Sequence, residues 1–273
     1  MPPISFDQEY IKKLIKISKN AGDAIMDIYE SEFDVNFKSD QSPLTKADIV
    51  SNKIISDSLY KLNPKIPILS EESSHISFNE RSSWDEYWLI DPLDGTKEFI
   101  NKNGEFTTNI ALIKKNKPIF GIIHVPATKE TYWGSKTEGS FYIKGNDQKI
   151  KLCVETRMRS KVRIVASRSH PSRMLDILLE EIGEYEIITK GSSLKLCLIA
   201  KGEADIYPRL GPTSEWDIAA GQAVLENAGG LMSDLQNKSI VYNKKDIINP
   251  YFIAASNNEI KTKIINALNK NEL

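Results

Sequence analysis

The chain has 273 residues, of which 40% are hydrophobic and 27% charged, and its formal net charge is -1. This balance is ordinary for a globular protein with a sizeable core, and it excludes nucleic-acid binding driven by a strongly basic surface. The first residues lack the basic stretch and apolar run of a secretory signal, and no segment approaches the ~20 apolar residues of a membrane span. We therefore expect a cytoplasmic protein without an integral membrane segment.

Cysteine usage points to no metal or redox framework. The two cysteines, Cys153 and Cys197, lie far apart and form no Cys-x-x-Cys pair. This spacing suggests neither a zinc site nor a disulfide framework. We expect both side chains to fill the core.

Two helices are predicted in the first 62 residues. Apolar residues recur at the three-to-four spacing of one buried helical face in 10–29 and again in 47–62. Thr45 or Asp48 stands near the start of the second helix, where a capping oxygen is useful. The segment between the helices is polar and rich in turn residues.

A β-rich stretch follows, with turn signals that favour antiparallel hairpins. Its predicted strands cover 66–69, 87–90, 107–114, 118–125, 130–133 and 140–143. After about residue 155, strands and helices alternate, which is typical of an α/β arrangement. Strands are predicted there at 162–166, 186–189, 204–207 and 251–254, and helices at 173–182, 194–200, 218–228 and 259–269. We place a domain boundary between 1–155 and 156–273.

The segment at 88–99 carries the strongest chemical signal, because a hydrophobic strand runs directly into two carboxylates. Pro92 disfavours helix at Asp91, and Gly95 permits a left-handed turn, so Asp91 and Asp94 can turn toward one point. A helix that starts near Thr96 would direct its free N–H groups at an anion. The same composition also permits an ordinary surface turn.

Two further acidic positions support a metal site. Glu71 and Glu72 follow a short strand, and Asp217 begins an apolar helix. Taken alone, Asp217 is best interpreted as a helix cap. Several carboxylates at element ends, without a His or Cys cluster, suit a hard cation, and the implied metal is Mg²⁺.

These residues resemble the lithium-sensitive, metal-dependent phosphatases that include inositol monophosphatases and 3′(2′),5′-bisphosphate nucleotidases. The matching motifs are Glu71-Glu72, Asp-Pro-x-Asp-Gly-Thr at 91–96, and Trp216-Asp217, in the family's order, and the resemblance runs from Lys38 to the last strand. It implies an α/β fold: a layered α-β-α-β-α sandwich with an antiparallel-rich α+β first half and the site in the cleft between the halves. It also implies inhibition by lithium.

The resemblance further implies a set of metal ligands. Two or three Mg²⁺ ions would be held by Glu71, Asp91, Asp94, Asp217 and the backbone carbonyl of Leu93. The catalytic residues would be Asp48, Thr96 and Glu71, with Asp48 and Thr96 positioning and activating the attacking water. In the competing aspartyl-nucleophile phosphatases the two acids are two residues apart, whereas Asp91 and Asp94 are three apart.

The second half resembles the nucleotidase branch, which removes the 3′-phosphate from adenosine 3′,5′-bisphosphate. The resembling segments are 166–170, 191–197 and 204–217. A second phosphate needs its own cationic and hydroxyl partners. The predicted substrate contacts are Asp94, Gly95, Thr96, His170, Ser192, Ser193, Lys195, Arg209 and Asp217, with His170 against the base. Local context alone favours a solvated helix residue for Lys195 and an edge-strand charge for Arg209.

Alternatives stay open at this point. An inositol or sugar-phosphate phosphatase would use the same metal site without needing Lys195 and Arg209, and a non-catalytic ligand-binding protein could share the fold. The sulfated nucleotide 3′-phosphoadenosine 5′-phosphosulfate is a second candidate substrate. The expected partner is a small nucleotide bisphosphate, and the choice between monomer and homodimer is open. Related bacterial nucleotidases are described as peripheral on the inner membrane, but this sequence has no basic amphipathic helix or lipidation signal for such an association.

Overall fold

The structure is a computed structural model of the chain and describes residues 6–38, 43–73, 76–157, 159–166 and 173–270. Its helices are α1 (Gln8–Tyr29), α2 (Lys46–Leu62), α3 (Phe78–Arg81), α4 (Thr96–Ile100), α5 (Arg173–Ile182), α6 (Leu194–Ala200), α7 (Glu215–Asn227) and α8 (Asn258–Lys270). Its strands are β1 (Val35–Phe37), β2 (Pro43–Thr45), β3 (Ile68–Ser70), β4 (Glu86–Asp94), β5 (Thr107–Lys114), β6 (Lys117–Val125), β7 (Glu130–Ser135), β8 (Gly139–Lys144), β9 (Ile150–Lys151), β10 (Val162–Ala166), β11 (Tyr185–Thr189), β12 (Ile206–Arg209), β13 (Leu231–Asp234) and β14 (Phe252–Ala255). A 3₁₀ turn covers Glu71–Ser73.

The larger sheet is seven-stranded, in the order β3-β4-β5-β6-β7-β8-β9. From β4 onward the pairings are antiparallel, as the hairpin signals predict, whereas β3 runs parallel to β4. Because side chains alternate along a strand, Trp88 and Ile90 pack with α1 and α2, while Tyr87 and Leu89 pack with α6 and α7 on the other face. Burial on both faces explains why this strand is a continuous apolar run.

Close approach of α7 to this sheet depends on glycine. A Cβ added at Gly121 of β6 would lie 2.3 Å from the carbonyl oxygen of Ala220 in α7. Any side chain at Gly121 would therefore push the helix away. Because α7 also carries Asp217, this packing fixes the distance between Asp217 and the end of β4.

The smaller sheet has the order β11-β10-β12-β14-β13. β10 runs parallel to β11 and β12, whereas β14 is antiparallel to β12 and β13. One face packs with α6 and α7, and the other with α5 and α8. The layers therefore run α1/α2, larger sheet, α6/α7, smaller sheet, α5/α8, which confirms the predicted α-β-α-β-α sandwich.

Several sequence predictions need correction. The strand expected at 87–90 continues as β4 to Asp94, with irregular register between Asp91 and Asp94. The sequence analysis missed β1, β2, β9, β13 and α3, each of which has two to four residues. Cys197 is buried, but Cys153 is exposed, so the prediction that Cys153 fills the core is wrong.

The domain division at residue 155 stays a prediction. The larger sheet is built from residues before this point and the smaller sheet from residues after it, but α6 and α7 pack between the two sheets. Within the ranges that the structure describes, no helix is long and apolar enough to cross a bilayer.

Candidate active site

The turn at the end of β4 is held from two sides. The backbone N–H of Leu93 donates to Asp91 Oδ1 over 3.1 Å, and the Ser51 hydroxyl of α2 donates to the carbonyl oxygen of Pro92 over 2.7 Å. Gly95 has φ of +90°, and a Cβ there would lie 2.1 Å from Ser192 Oγ. Glycine is therefore required at position 95 both by the backbone and by the neighbouring loop.

Asp48 and Thr96 meet although they lie in different elements. The Asp48 carboxylate closes the capping box of α2, because its Oδ2 accepts hydrogen bonds from the backbone N–H and the hydroxyl of Thr45, both at 2.7 Å. Its other oxygen accepts a hydrogen bond from the Thr96 hydroxyl at 3.2 Å. Burial raises the pKa of Asp48, although these hydrogen bonds lower it in part.

Glu71 lies in the 3₁₀ turn after β3 and is paired with a lysine. The Lys38 ammonium donates to Glu71 Oε1 and to Glu72 Oε1, both at 2.7 Å. Burial raises the pKa of Glu71 even though Lys38 opposes this shift. Lys38 thus supplies one positive charge at the edge of an acidic cluster.

Asp217 lies in the first turn of α7 and does cap this helix, as its local context predicts. The backbone N–H of Ser214 donates to Asp217 Oδ2 over 2.8 Å. No hydrogen bond reaches Oδ1 from the described part of the chain. A capping role therefore leaves one carboxylate oxygen for another partner.

The electrostatics of this region are dominated by repulsion between acids. Asp91 is 1% exposed, and burial, followed by the charges of Glu71, Asp94, Asp217 and Asp48, raises its pKa well above the ordinary value. Burial and the charge of Asp94 raise the pKa of Asp217 to about 8. Such a cluster favours either protonation or a bound cation.

A cleft of about 460 Å³ joins the predicted metal ligands. Its lining includes Glu71, Asp91, Leu93, Asp94, Thr96 and Asp217. Across the described ranges, no three His, Cys, Asp or Glu side chains form a ready metal-binding group. A closed protein shell is not needed for Mg²⁺, because this ion keeps several waters and uses few carboxylates. The donors here are all oxygen atoms and carry excess negative charge, so they fit a hard divalent cation.

A second cavity of about 200 Å³ adjoins the first and shares Asp94, Gly95 and Asp217 with it. Its lining also includes Lys195 and Arg209. Lys195 is 7% exposed, and burial lowers its pKa to about 8. Its ammonium lies 5.6 Å from the centre of the Tyr207 ring and donates to the carbonyl oxygen of Lys190 over 3.3 Å. Lys195 is thus a buried cation, not the solvated helix residue that local context favours.

The structure brings Ser192 and Ser193 to the junction of the two cavities. The Ser192 hydroxyl lies within hydrogen-bonding distance of the carbonyl oxygens of Asp94 (2.9 Å) and Glu105 (2.8 Å). Ser193 contacts the Asp94 side chain through its backbone N–H and its hydroxyl. Both hydroxyl groups are therefore engaged within the protein. His170 lies outside the described residues.

The sequence analysis missed two side chains at this junction. Asn109 of β5 donates to Asp94 Oδ2 over 3.2 Å, and Glu105 accepts hydrogen bonds from the backbone N–H of Gly191 (2.9 Å) and the ammonium of Lys190 (3.1 Å). The sequence contains one pattern that indicates a role for Asn109. The polar triplet Thr107-Thr108-Asn109 precedes the apolar run 110–113 in β5, and all three residues are buried. Buried polar side chains usually have specific partners, and Thr107 and Asn109 do.

Comparison with known proteins agrees with this fold. The family model described as the inositol monophosphatase family matches residues 7–273. The chain belongs to the inositol monophosphatase family. This is a family of phosphatases, so the predicted resemblance and the prediction of a hydrolase are confirmed. Members of the family are metal-dependent and generally use Mg²⁺.

Within the inositol monophosphatase family, the chain is similar to CysQ proteins. It is 42% identical over 245 residues to the 3′(2′),5′-bisphosphate nucleotidase CysQ of Escherichia coli strain K12, covering 89% of this chain and 98% of the relative. The crystal structure of CysQ from Bacteroides thetaiotaomicron matches with a TM-score of 0.79 and 37% identity, covering 92% of this chain and 98% of that one. The inositol monophosphatase TM1415 of Thermotoga maritima, with a TM-score of 0.79 at 22% identity and coverage of 96% and 98%, shares the fold.

Proposed function

We propose that this protein is a Mg²⁺-dependent 3′(2′),5′-bisphosphate nucleotidase that hydrolyses the 3′-phosphate of adenosine 3′,5′-bisphosphate to AMP and phosphate. The observation that carries the proposal is the pair of adjoining cavities that share Asp94 and Asp217. One is lined by carboxylates, and the other contains Lys195 and Arg209. This arrangement suits a substrate with one phosphate at the metal site and a second beside the cations.

Glu71, Asp91, Asp94, Asp217 and the Leu93 carbonyl oxygen would hold two or three ions. When bound, such ions lower the pKa of a coordinated water and neutralise charge that develops on the phosphoryl oxygens. The repulsion between Asp91 and its acidic neighbours supports this assignment, because a divalent cation would relieve it.

Asp48 and Thr96 would act on the attacking water. The Thr96 hydroxyl donates its hydrogen to Asp48 Oδ1. Its oxygen can therefore accept a proton from water while its own proton passes to Asp48. Burial raises the pKa of Asp48, which makes its carboxylate a stronger base than an exposed aspartate. The water oxygen would then form a bond to phosphorus as the bond to the 3′-oxygen breaks. That oxygen takes up a proton from solvent, and Asp48 releases to solvent the proton that it accepted.

Substrate selection would depend on the second cavity. Lys195 and Arg209 would bind the 5′-phosphate, and Gly95 would leave room for the reacting phosphate beside Thr96. The sulfated nucleotide 3′-phosphoadenosine 5′-phosphosulfate presents a similar anionic group at the 5′ position and is a second proposed substrate. The identity with CysQ nucleotidases over most of the chain supports this choice over an inositol phosphate.

The test is phosphate release from adenosine 3′,5′-bisphosphate with Mg²⁺ and with a chelator, for the wild type and for Asp94→Asn. Asp57→Asn is the matched control, because Asp57 is an exposed residue of α2 that pairs with Lys53. We expect Mg²⁺-dependent release by the wild type and Asp57→Asn, and none by Asp94→Asn. Release that persists in the chelator or in Asp94→Asn would overturn the proposal.

A further inference from the structure

One oxygen of Asp94 is fully engaged by the protein. Asp94 Oδ2 accepts hydrogen bonds from the backbone N–H of Ser193 at 2.7 Å and from Asn109 Nδ2 at 3.2 Å, and the Ser193 hydroxyl lies 2.8 Å away. Asn109 and Ser193 are 1% and 3% exposed, so water competes little for these contacts. Asn109 Nδ2 also donates to Ser193 Oγ over 2.8 Å, which orients the hydroxyl.

The other oxygen of Asp94 has no such partners. From the residues that the structure describes, no hydrogen bond reaches Asp94 Oδ1. Donors on one oxygen fix the plane of a carboxylate and thereby the direction of the second oxygen. The contacts of Ser193 and Asn109 therefore determine how Asp94 presents Oδ1 to the cleft.

Ser193 also connects this carboxylate to the rest of the site. Its hydroxyl lies 2.7 Å from the backbone carbonyl oxygen of Asp217, and it directly precedes α6, which carries Lys195. The preceding loop is anchored by the hydrogen bond from the Gly191 N–H to Glu105. A change at Ser193 would thus alter the position of the Asp94 carboxylate, in the first half of the chain, relative to α6, in the second half.

We propose that Ser193, with Asn109, is a positioning residue that orients Asp94 for metal binding, and that it is not a contact of the substrate. This inference rests on the proposed role of Asp94 as a metal ligand. It replaces the substrate contact predicted for Ser193 from the sequence. Residues that orient a metal ligand typically change metal affinity by about 10–100-fold when they are removed.

The test measures binding of Mn²⁺ to the whole chain without substrate. Electron paramagnetic resonance detects the Mn²⁺ that stays free. The variants are Ser193→Ala, Asn109→Ala and Asp94→Asn. Ser140→Ala is the matched control, because Ser140 is also buried and donates to the Val224 carbonyl oxygen of α7 over 2.6 Å, outside the site. Thermal melting compares the stability of Ser193→Ala with that of the control, and Asn109→Ala provides a second route if Ser193→Ala does not fold.

We expect Mn²⁺ affinity to fall by about tenfold in Ser193→Ala and in Asn109→Ala, and to stay unchanged in Ser140→Ala. The kcat of Ser193→Ala should fall while its KM for adenosine 3′,5′-bisphosphate stays within about threefold. Wild-type Mn²⁺ affinity together with a raised KM would make Ser193 a substrate contact and overturn the inference. If Asp94→Asn binds Mn²⁺ with wild-type affinity, the metal role proposed for Asp94 fails. If Asp94→Asn loses Mn²⁺ affinity but Ser193→Ala and Asn109→Ala keep it, only the positioning role fails.

Discussion

The Thr96 hydroxyl donates a hydrogen bond to Asp48 Oδ1 over 3.2 Å, although 48 positions separate the two residues. Thr96 begins α4, and Asp48 lies in the first turn of α2. The contact therefore depends on how α2 packs against the end of β4. It places a hydroxyl and a buried carboxylate together at the acid-lined cleft.

Removing the Thr96 hydroxyl should impair the chemical step. We expect Thr96→Val to lower kcat by about 100-fold, because a positioned proton acceptor contributes on this scale, with little change in KM. Thr96→Ser keeps the hydroxyl and should retain most of the activity. Steady-state kinetics on adenosine 3′,5′-bisphosphate measures both effects, and equal losses in the two variants would contradict the role assigned to the hydroxyl.

The positive charge of Lys195 should make substrate binding depend on pH. Because burial lowers the pKa of Lys195 to about 8, its ammonium loses a proton as the pH rises through that value. We expect KM for the bisphosphate to rise several-fold between about pH 7 and about pH 9, since an anion then loses its partner. Lys195→Arg keeps its charge over this range and should flatten the KM profile. A wild-type profile with no rise in KM would contradict this role.

Mg²⁺ should stabilise the protein more at high pH than at low pH. Burial and acidic neighbours raise the pKa of Asp91 and Asp217, that of Asp217 to about 8. Between the ordinary aspartate pKa and this raised value, the folded protein binds more protons than the unfolded chain, so the stability of the metal-free protein falls as pH rises. Bound Mg²⁺ favours the deprotonated carboxylates and offsets this loss.

Thermal melts at about pH 5 and about pH 8, each with chelator and with excess Mg²⁺, measure this effect. The increase in melting temperature on adding Mg²⁺ should be larger at the higher pH. An equal increase at both values, or none in the wild type, would contradict the assignment of these carboxylates as ligands.

Glu215 should matter for stability more than for chemistry. It is fully buried and accepts hydrogen bonds from the N–H groups of Asn243 (2.8 Å) and Lys244 (3.0 Å) and from the Lys244 ammonium (2.6 Å). Glu215→Gln would leave the partly exposed Lys244 ammonium without its countercharge and weaken the acceptor of two backbone N–H groups. We expect a loss of about 1.5–3 kcal/mol in the free energy of unfolding, the scale of a hydrogen bond to a charged group.

Urea unfolding measures this loss. Glu203→Gln is the control, because Glu203 pairs with Lys201 at 2.7 Å, its side chain is 51% exposed, and such pairs contribute little. A change in Glu215→Gln as small as in the control would contradict the structural role of this network.

The carboxylates that we propose as metal ligands could be selected from the sequence because they belong to local motifs that the family resemblance covers. Asp91 and Asp94 share one strand end, and Asp217 lies in the first turn of a helix whose capping pattern is visible in Ser214 and Asp217. The layered fold could be anticipated from the family resemblance, but strand order is not visible in apolar periodicity. The observed order, in which β14 lies between β12 and β13, illustrates this limit.

The residues that orient the ligands could not be anticipated in the same way. Ser193 reaches Asp94 across 99 positions and Asn109 reaches Ser193 across 84, so these contacts exist only after the two sheets pack around α6 and α7. The sequence predicts a substrate contact for Ser193, because a hydroxyl in the same motif as Lys195 is a suitable donor to a second phosphate. Its burial and its two contacts with Asp94 depend on tertiary structure.

The most direct test of the proposed function compares kcat/KM for adenosine 3′,5′-bisphosphate and inositol 1-phosphate with Mg²⁺ present. If Lys195 and Arg209 bind a second phosphate, two charge-assisted contacts should favour the bisphosphate by about 100-fold or more. The same ratio measured in Lys195→Met should fall by at least about tenfold. A wild-type preference for inositol 1-phosphate, or equal rates on both substrates, would contradict the nucleotidase assignment.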